Sequence, residues 1–220
     1  LMNRKEALHH YHMHRIEACA ENLKRNNFEV LMTESLLDAE ERFFDTLLPA
    51  AGPKSVSLVD SLTLHATGIL GRLGTDPAVD LIEIEREGMT WDESIEQRRK
   101  ALLADLFITG TNAVTEAGQL VNLDMIGNRI AALLFGPRKV VVLVGRNKIV
   151  PDLEAAMDRC RNYAAPVNAA RFGLDTPCVG TGFCADCARE SRICNGWSIT
   201  EKSYPASRIA VILINEDLGF

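Results

Sequence analysis

Lys139-Val-Val-Val-Leu-Val144 is the most informative run in the chain: one lysine is followed by five apolar residues, four of them valine. A strand with one wet face alternates polar and apolar residues, and this run does not. It reads as a parallel strand covered on both faces. Ile209 to Ile214, Ile-Ala-Val-Ile-Leu-Ile, has the same character and reads as a last buried strand. Upstream, Leu106 to Thr109 is a third apolar strand. After it, Asn112 to Thr115 and Gln119 to Asn122 flank a Glu116-Ala117-Gly118 turn, the signature of a hairpin.

Further out, helical and strand patterns alternate. Arg4 to Asn26 places Leu8, Tyr11, Ile16, Cys19 and Leu23 at roughly helical spacing. Phe28 to Met32 suits a strand, and Thr33 is read as the cap of a helix that runs to about Leu48 and is closed by Pro49 and Gly52. Ser55 to Val59 is a strand, Ser61 to Leu73 a helix, Asp80 to Ile84 a strand and Thr90 to Ala104 a charged helix. Met125 to Phe135 is a helix stopped by Gly136-Pro137. A further helix starts near Pro151, where a missing N–H costs nothing, and reaches about Ala165. This alternation predicts an α/β fold with a mostly parallel sheet covered on both faces. Residues 1–27 read as an N-terminal helix and 28–220 as one α/β domain.

The composition, 47% hydrophobic and 25% charged, fits a globular protein with a sizeable core. A formal charge of −6 argues against broad nucleic-acid binding, which needs a basic surface. No apolar run approaches the roughly 20 residues that cross a bilayer. Leu1, ahead of Met2, reads as a cloning remnant or a processed tag. The charged, His-rich stretch after it lacks the apolar middle of a secretory signal, so the expected compartment is the cytoplasm, with no membrane partner.

Three polar strings narrow the reading: Thr109-Gly-Thr-Asn-Ala-Val-Thr-Glu-Ala-Gly-Gln-Leu-Val-Asn122 with Gly127-Asn128-Arg129, Phe135-Gly-Pro-Arg-Lys-Val-Val-Val-Leu-Val-Gly-Arg-Asn-Lys148, and Arg161-Asn-Tyr-Ala-Ala-Pro-Val-Asn168. Their order resembles the LUD, or lactate-utilisation domain, family over about Phe28 to the C-terminus. The resemblance implies a three-layer α/β/α sandwich similar to sugar-phosphate isomerases and CoA transferases. In such relatives a strand ending in Gly-Thr-Asn and a Gly-turn hairpin line the active cleft. A Ser/Thr-rich loop after an early strand binds phosphate or carboxylate. Here that loop is Asp60-Ser61-Leu62-Thr63. Asp60 stands where the family usually has glycine, and its carboxylate is expected to oppose an anion. Ligands in open α/β sheets bind at strand C-terminal ends. The expected ligand-binding residues are therefore Ser61, Thr63, Gly110, Thr111, Asn112, Asn122, Asn128, Arg129 and Lys148. Their expected ligand is a small organic acid or phosphorylated metabolite. By the same analogy Glu116 is the candidate catalytic residue, a nucleophile of the CoA-transferase kind. Against this stands a plainer reading, in which the glycines and amides merely build turns.

Cys178, Cys184, Cys187 and Cys194 follow the pattern C-x5-C-x2-C-x6-C in residues 176–195, a loop with few apolar side chains. Four thiolates in so short a reach can surround an iron–sulfur cluster or one Zn²⁺. Zinc usually takes two C-x2-C knuckles and only one is present, so a [4Fe-4S] cluster is favoured over zinc. Four free cysteines, or two disulfides formed on oxidation, are the alternative. Cys19 and Cys160 fall on helices and read as small buried hydrophobes. His9, His10, His12 and His14 read as a solvated helical face. His65 is read either as a proton donor at the cleft or as a packing residue.

Three functions remain open at this stage. One is a redox-associated protein that binds an organic acid beside a metal centre, alongside the partner redox subunits that the lactate-operon relatives imply. Another is an isomerase- or CoA-transferase-like enzyme using Glu116 with a structural zinc. The third is a zinc-loop regulatory module. A homo-oligomer is compatible with each.

Overall fold

The computed structural model describes residues 1–220. Strands β1 (Glu29–Thr33), β2 (Ser55–Leu58), β3 (Asp80–Ile82), β4 (Leu106–Gly110), β7 (Lys139–Gly145) and β10 (Ile209–Ile214) form one sheet in the order β1-β10-β7-β4-β2-β3. Every pairing in it is parallel. The residues of β7 explain the three layers. Val140, Val142 and Val144 point into one core, and Val141 and Leu143 into the other. The first core is closed by Ile16, Cys19 and Leu23 of α1 (Arg4–Arg25) and by Ala132 and Leu133 of α7 (Asn128–Leu134). The second is closed by α2 (Leu36–Arg42), α3 (Leu48–Ala51), α4 (Leu62–His65) and α5 (Ile69–Gly74) with the turn between α2 and α3. Each valine so buried contributes about 1.5 kcal/mol or more. The chain is thus an α/β/α sandwich, as its pattern predicts.

A smaller sheet, which the sequence reading did not foresee, stands beside the first. Its order is β8 (Ile149–Val150), β5 (Ala113–Thr115), β6 (Leu120–Asp124) and β9 (Gly196–Thr200). β5 and β6 are the expected hairpin, and Gly118 sits at φ +80° where an added Cβ would meet Leu23 N of α1 at 2.7 Å. β9 went unread because it exposes one face and lies just beyond the cysteine loop.

Helix boundaries needed several corrections. Thr33 ends β1, and the cap of α2 is Ser35, whose side chain accepts from Asp38 N–H. Pro49 does not close that helix. The π turn Phe43–Leu47 precedes it, and Leu48 N–H reaches back to the Phe43 carbonyl. That longer span makes room for a ring that would clash in a regular helix. The same device recurs where α8 (Leu153–Arg159) passes through the π turn Cys160–Ala164 into α9 (Ala165–Arg171) past Pro166. Residues 61–73 are two helices, α4 and α5, separated at Thr67-Gly68, while α6 (Trp91–Ala101) and α7 are shorter than expected. In α1 the second half packs into the core, whereas Leu8 and Tyr11 remain exposed. No helix is long and apolar enough to cross a membrane.

Candidate functional site

Parallel strands bring unrelated loops to one edge. Here the C-terminal ends of β2, β4, β7 and β10 surround a cavity of about 450 Å³. The loop after β2 supplies Asp60 and Ser61, and the start of α4 supplies Thr63. β4 and the residues after it supply Gly110, Thr111 and Asn112. The short 3-10 turn Arg146–Lys148 after β7 supplies Lys148. Asn128 and Arg129, at the start of α7, complete this side. Two glycines make the packing possible. A Cβ at Gly110 would lie 2.8 Å from Ser61 Oγ, and one at Gly219 would lie 2.9 Å from Thr63 Oγ1.

Amides set the positions of the charged groups. Asn122 lies behind the cavity lining: its Oδ1 accepts from Thr111 Oγ1 (3.1 Å) and from the Asn112 N–H (3.3 Å). Asn112 Oδ1 in turn accepts from Arg129 Nη2 at 2.8 Å, and its carbonyl accepts from Arg159 Nη1 at 2.7 Å. Asn122 is thus a positioning residue, and the turn reading accounts for it better than direct ligand contact.

The ionic balance of the lining is uneven. Asp124 faces Arg129 at 3.8 Å, Glu85 pairs with Arg98, and Asp60 pairs with Arg171 at 2.6 Å. Lys148 has no carboxylate. Its side chain is buried, the residue being 5% exposed, and the only hydrogen bond of its Nζ is to Thr63 Oγ1 at 3.1 Å. Burial first, then the neighbouring Arg159 and Arg129 guanidiniums, press its pKa down to about 7. A buried cation without a counter-charge is costly, and its environment favours an anion nearby.

Asp60 does not act as its sequence position predicts. Burial works to raise its pKa, but hydrogen bonds from Arg171 and His65 outweigh that and hold it below the usual carboxylate range. Its charge is spent on these partners and does not oppose an anion in the cavity. His65 is exposed, bonds Asp60 Oδ1 at 2.8 Å and does not line the cavity, so its place is in this surface network. Glu116 also lies elsewhere. The hairpin tip points at α1, where Arg15 Nε bonds Glu116 Oε1 at 2.8 Å and Asn22 bonds its carbonyl. It fastens the hairpin to the helix and is absent from the cavity lining.

Sequence reasoning missed Asp124, Arg159, Arg171 and Cys160. Arg171 was findable, since it stands three residues after the flagged Asn168 and bonds its Oδ1 at 3.0 Å. Cys160 is buried, as expected, but its thiol also lines the cavity, and burial pushes its pKa up to about 12.

The four tail cysteines are free and half-buried. Cys178 lies on α10 (Pro177–Thr181). Arg192 ties Cys187 to Cys194: it donates to the Cys194 carbonyl at 3.0 Å and the Cys187 carbonyl at 2.7 Å, and meets Asp186 at 3.0 Å. Cys194 packs against a core cluster that contains Cys160. Its pKa is raised by burial and by the thiols of Cys184 and Cys187, with Arg192 opposing. The side chains are not drawn into a closed set of three or more metal-ligating groups. Ile193, beside Cys194, lines the cavity, so tail and cavity share a wall.

The sequence model of the LUD domain family matches residues 16–214. The chain is a member of the LUD domain family. Its fold is similar to that of a DUF162 family protein from Deinococcus radiodurans, whose crystal structure superposes with a TM-score of 0.51 at 12% identity, over 93% of this chain and 98% of that one. No curated protein matches the chain. Within this LUD domain the family model begins at Ile16, and the second half of α1 closes a core shared with β7 and β10.

Proposed function

We propose that this LUD domain binds a small organic acid as its carboxylate at the strand-end cavity, in a redox-associated role. One observation carries the reading: Lys148 is the cavity cation that no carboxylate of the chain neutralises. A bound carboxylate supplies the missing charge. Arg129 and Arg159, held by Asn112, add positive potential from behind.

Cys178, Cys184, Cys187 and Cys194 are the residues to hold a metal centre, a [4Fe-4S] cluster in preference to zinc. Support comes from the donors themselves. They are four free thiols in one segment, and Cys184 and Cys187 lie within electrostatic reach of Cys194. A cluster held by these thiols would supply one-electron transfer chemistry.

Titration calorimetry with lactate, followed by inorganic phosphate, tests the anion site. Lactate should bind, and Lys148→Met should weaken it at least tenfold. Equal affinity in the variant, or no binding in either protein, refutes the assignment. Iron, zinc and acid-labile sulfide counted in protein purified without oxygen test the metal centre. Absence of all three refutes it, and zinc alone replaces the cluster.

A further inference from the structure

The cavity is far larger than a three-carbon acid needs, and polar and apolar groups line it at every depth. Thr63, Thr111 and Lys148 are all 5% exposed or less, beside buried Val59, Ile84 and Leu123, while Asp60, Glu85 and Arg171 are exposed. Large apolar lining residues lie toward solvent: Trp91 is 57% exposed, Phe172 52%, and Met125 and Ile126 40% each. These four come from three separate elements, α6, the end of α9 and the loop before α7, and all four line the cavity. Scattered exposed hydrophobes are ordinary on a protein surface, but a cluster at the mouth of a pocket marks where an apolar part of a ligand lies. Volumes of this order accommodate ligands of drug size with a few placed polar groups and an apolar surround.

We infer that the ligand is an amphipathic anion, with its carboxylate at Lys148 and Thr63 and a ring or similar apolar body against Trp91, Phe172, Met125 and Ile126. The inference rests on the anion-site reading above and specifies its substrate class. Two rim side chains already carry cations on their rings. Arg171 lies 4.2 Å from the Phe172 centroid, and Arg98 lies 6.0 Å from that of Trp91. Both arginines also pair with acids, so they stiffen the aromatic rim and leave Lys148 as the unmatched charge.

Lactate and 3-phenyllactate share one head group and differ by a phenyl ring, so their affinity ratio isolates the rim. Burying such a ring contributes about 1.5–3 kcal/mol, which is about ten- to a hundredfold in Kd. Calorimetry on the full chain should show 3-phenyllactate binding tighter by that factor. Trp91→Ala, and separately Met125→Ala, should each shrink the ratio. Both positions are solvent-exposed, so the folded state should survive, and thermal melts check this. Lactate that binds through Lys148 with 3-phenyllactate equal or weaker overturns the amphipathic inference alone. A preference unchanged in both rim variants also overturns it. Failure of lactate to bind overturns the anion site and this inference with it.

Discussion

Lys148 illustrates how a single residue couples charge, pH and ligand. In the folded protein its pKa is about 7, against an ordinary value of 10.5. Below pH 7 the amine is protonated in both folded and unfolded chains, and the folded state bears the full cost of a buried charge. Between pH 7 and 10.5 the unfolded chain holds a proton that the folded one has released. Through this residue, stability therefore rises with pH across that window. Urea melts of ligand-free protein at pH 6 and pH 9 should show the rise, and Lys148→Met should flatten it. At pH 6 that variant should be more stable by on the order of 1–3 kcal/mol, because a buried charge without a partner is replaced by an apolar chain. Ligand affinity should run the other way. A bound carboxylate favours the ammonium form, so binding takes up a proton above pH 7, and lactate affinity should fall up to tenfold per pH unit there. Proton uptake measured by calorimetry in two buffers of different ionisation enthalpy checks the sign.

Elements divide into those that hold the scaffold and those that carry the site. The β5–β6 hairpin does both at opposite ends: its base carries Asn112 and Asn122, and its tip carries Glu116 and Gly118 against α1. Gly118→Ala should cost on the order of 1–3 kcal/mol, since it forces a left-handed backbone and drives a Cβ into α1. Glu116→Gln should cost about 1 kcal/mol or less, as for a partly exposed ion pair. Calorimetry should find lactate binding unchanged in both variants, whereas a Glu116-dependent affinity would restore that residue to the cleft. The hairpin was legible because its turn and alternation are local. The broken helices were not. Pro49 reads as a stop and the later helix as ending near Ala165, yet Pro49 and Pro166 each follow a π turn that carries the helix past the proline. Nothing local distinguishes a proline that ends a helix from one preceded by a wider turn; the choice depends on what the next turn packs against.

Across the molecule, the sandwich sets two helical layers around the sheet and leaves the cysteine tail against the small sheet, beside the cavity. If that tail holds a cluster, replacing Cys184 and Cys187 by serine should abolish iron and sulfide incorporation. The melting transition of the ligand-free chain should change by no more than a few degrees, because neither side chain belongs to a core cluster. Iron content and differential scanning calorimetry report the two outcomes. By itself the sequence determined the parallel sheet, the hairpin and the four-thiol segment, and eight of the nine residues named from it as ligand-binding line the cavity. Burial on two faces is written into consecutive valines, and strands that run parallel must deliver their end loops to one edge. What only the tertiary structure decided was charge. Asp60 and Arg171 are 111 residues apart, and Lys148 and Thr63 are 85 apart. No local pattern records which cation meets which acid, because ion pairing depends on distances that folding alone creates. The lysine left without an acid became visible only once the others had found theirs.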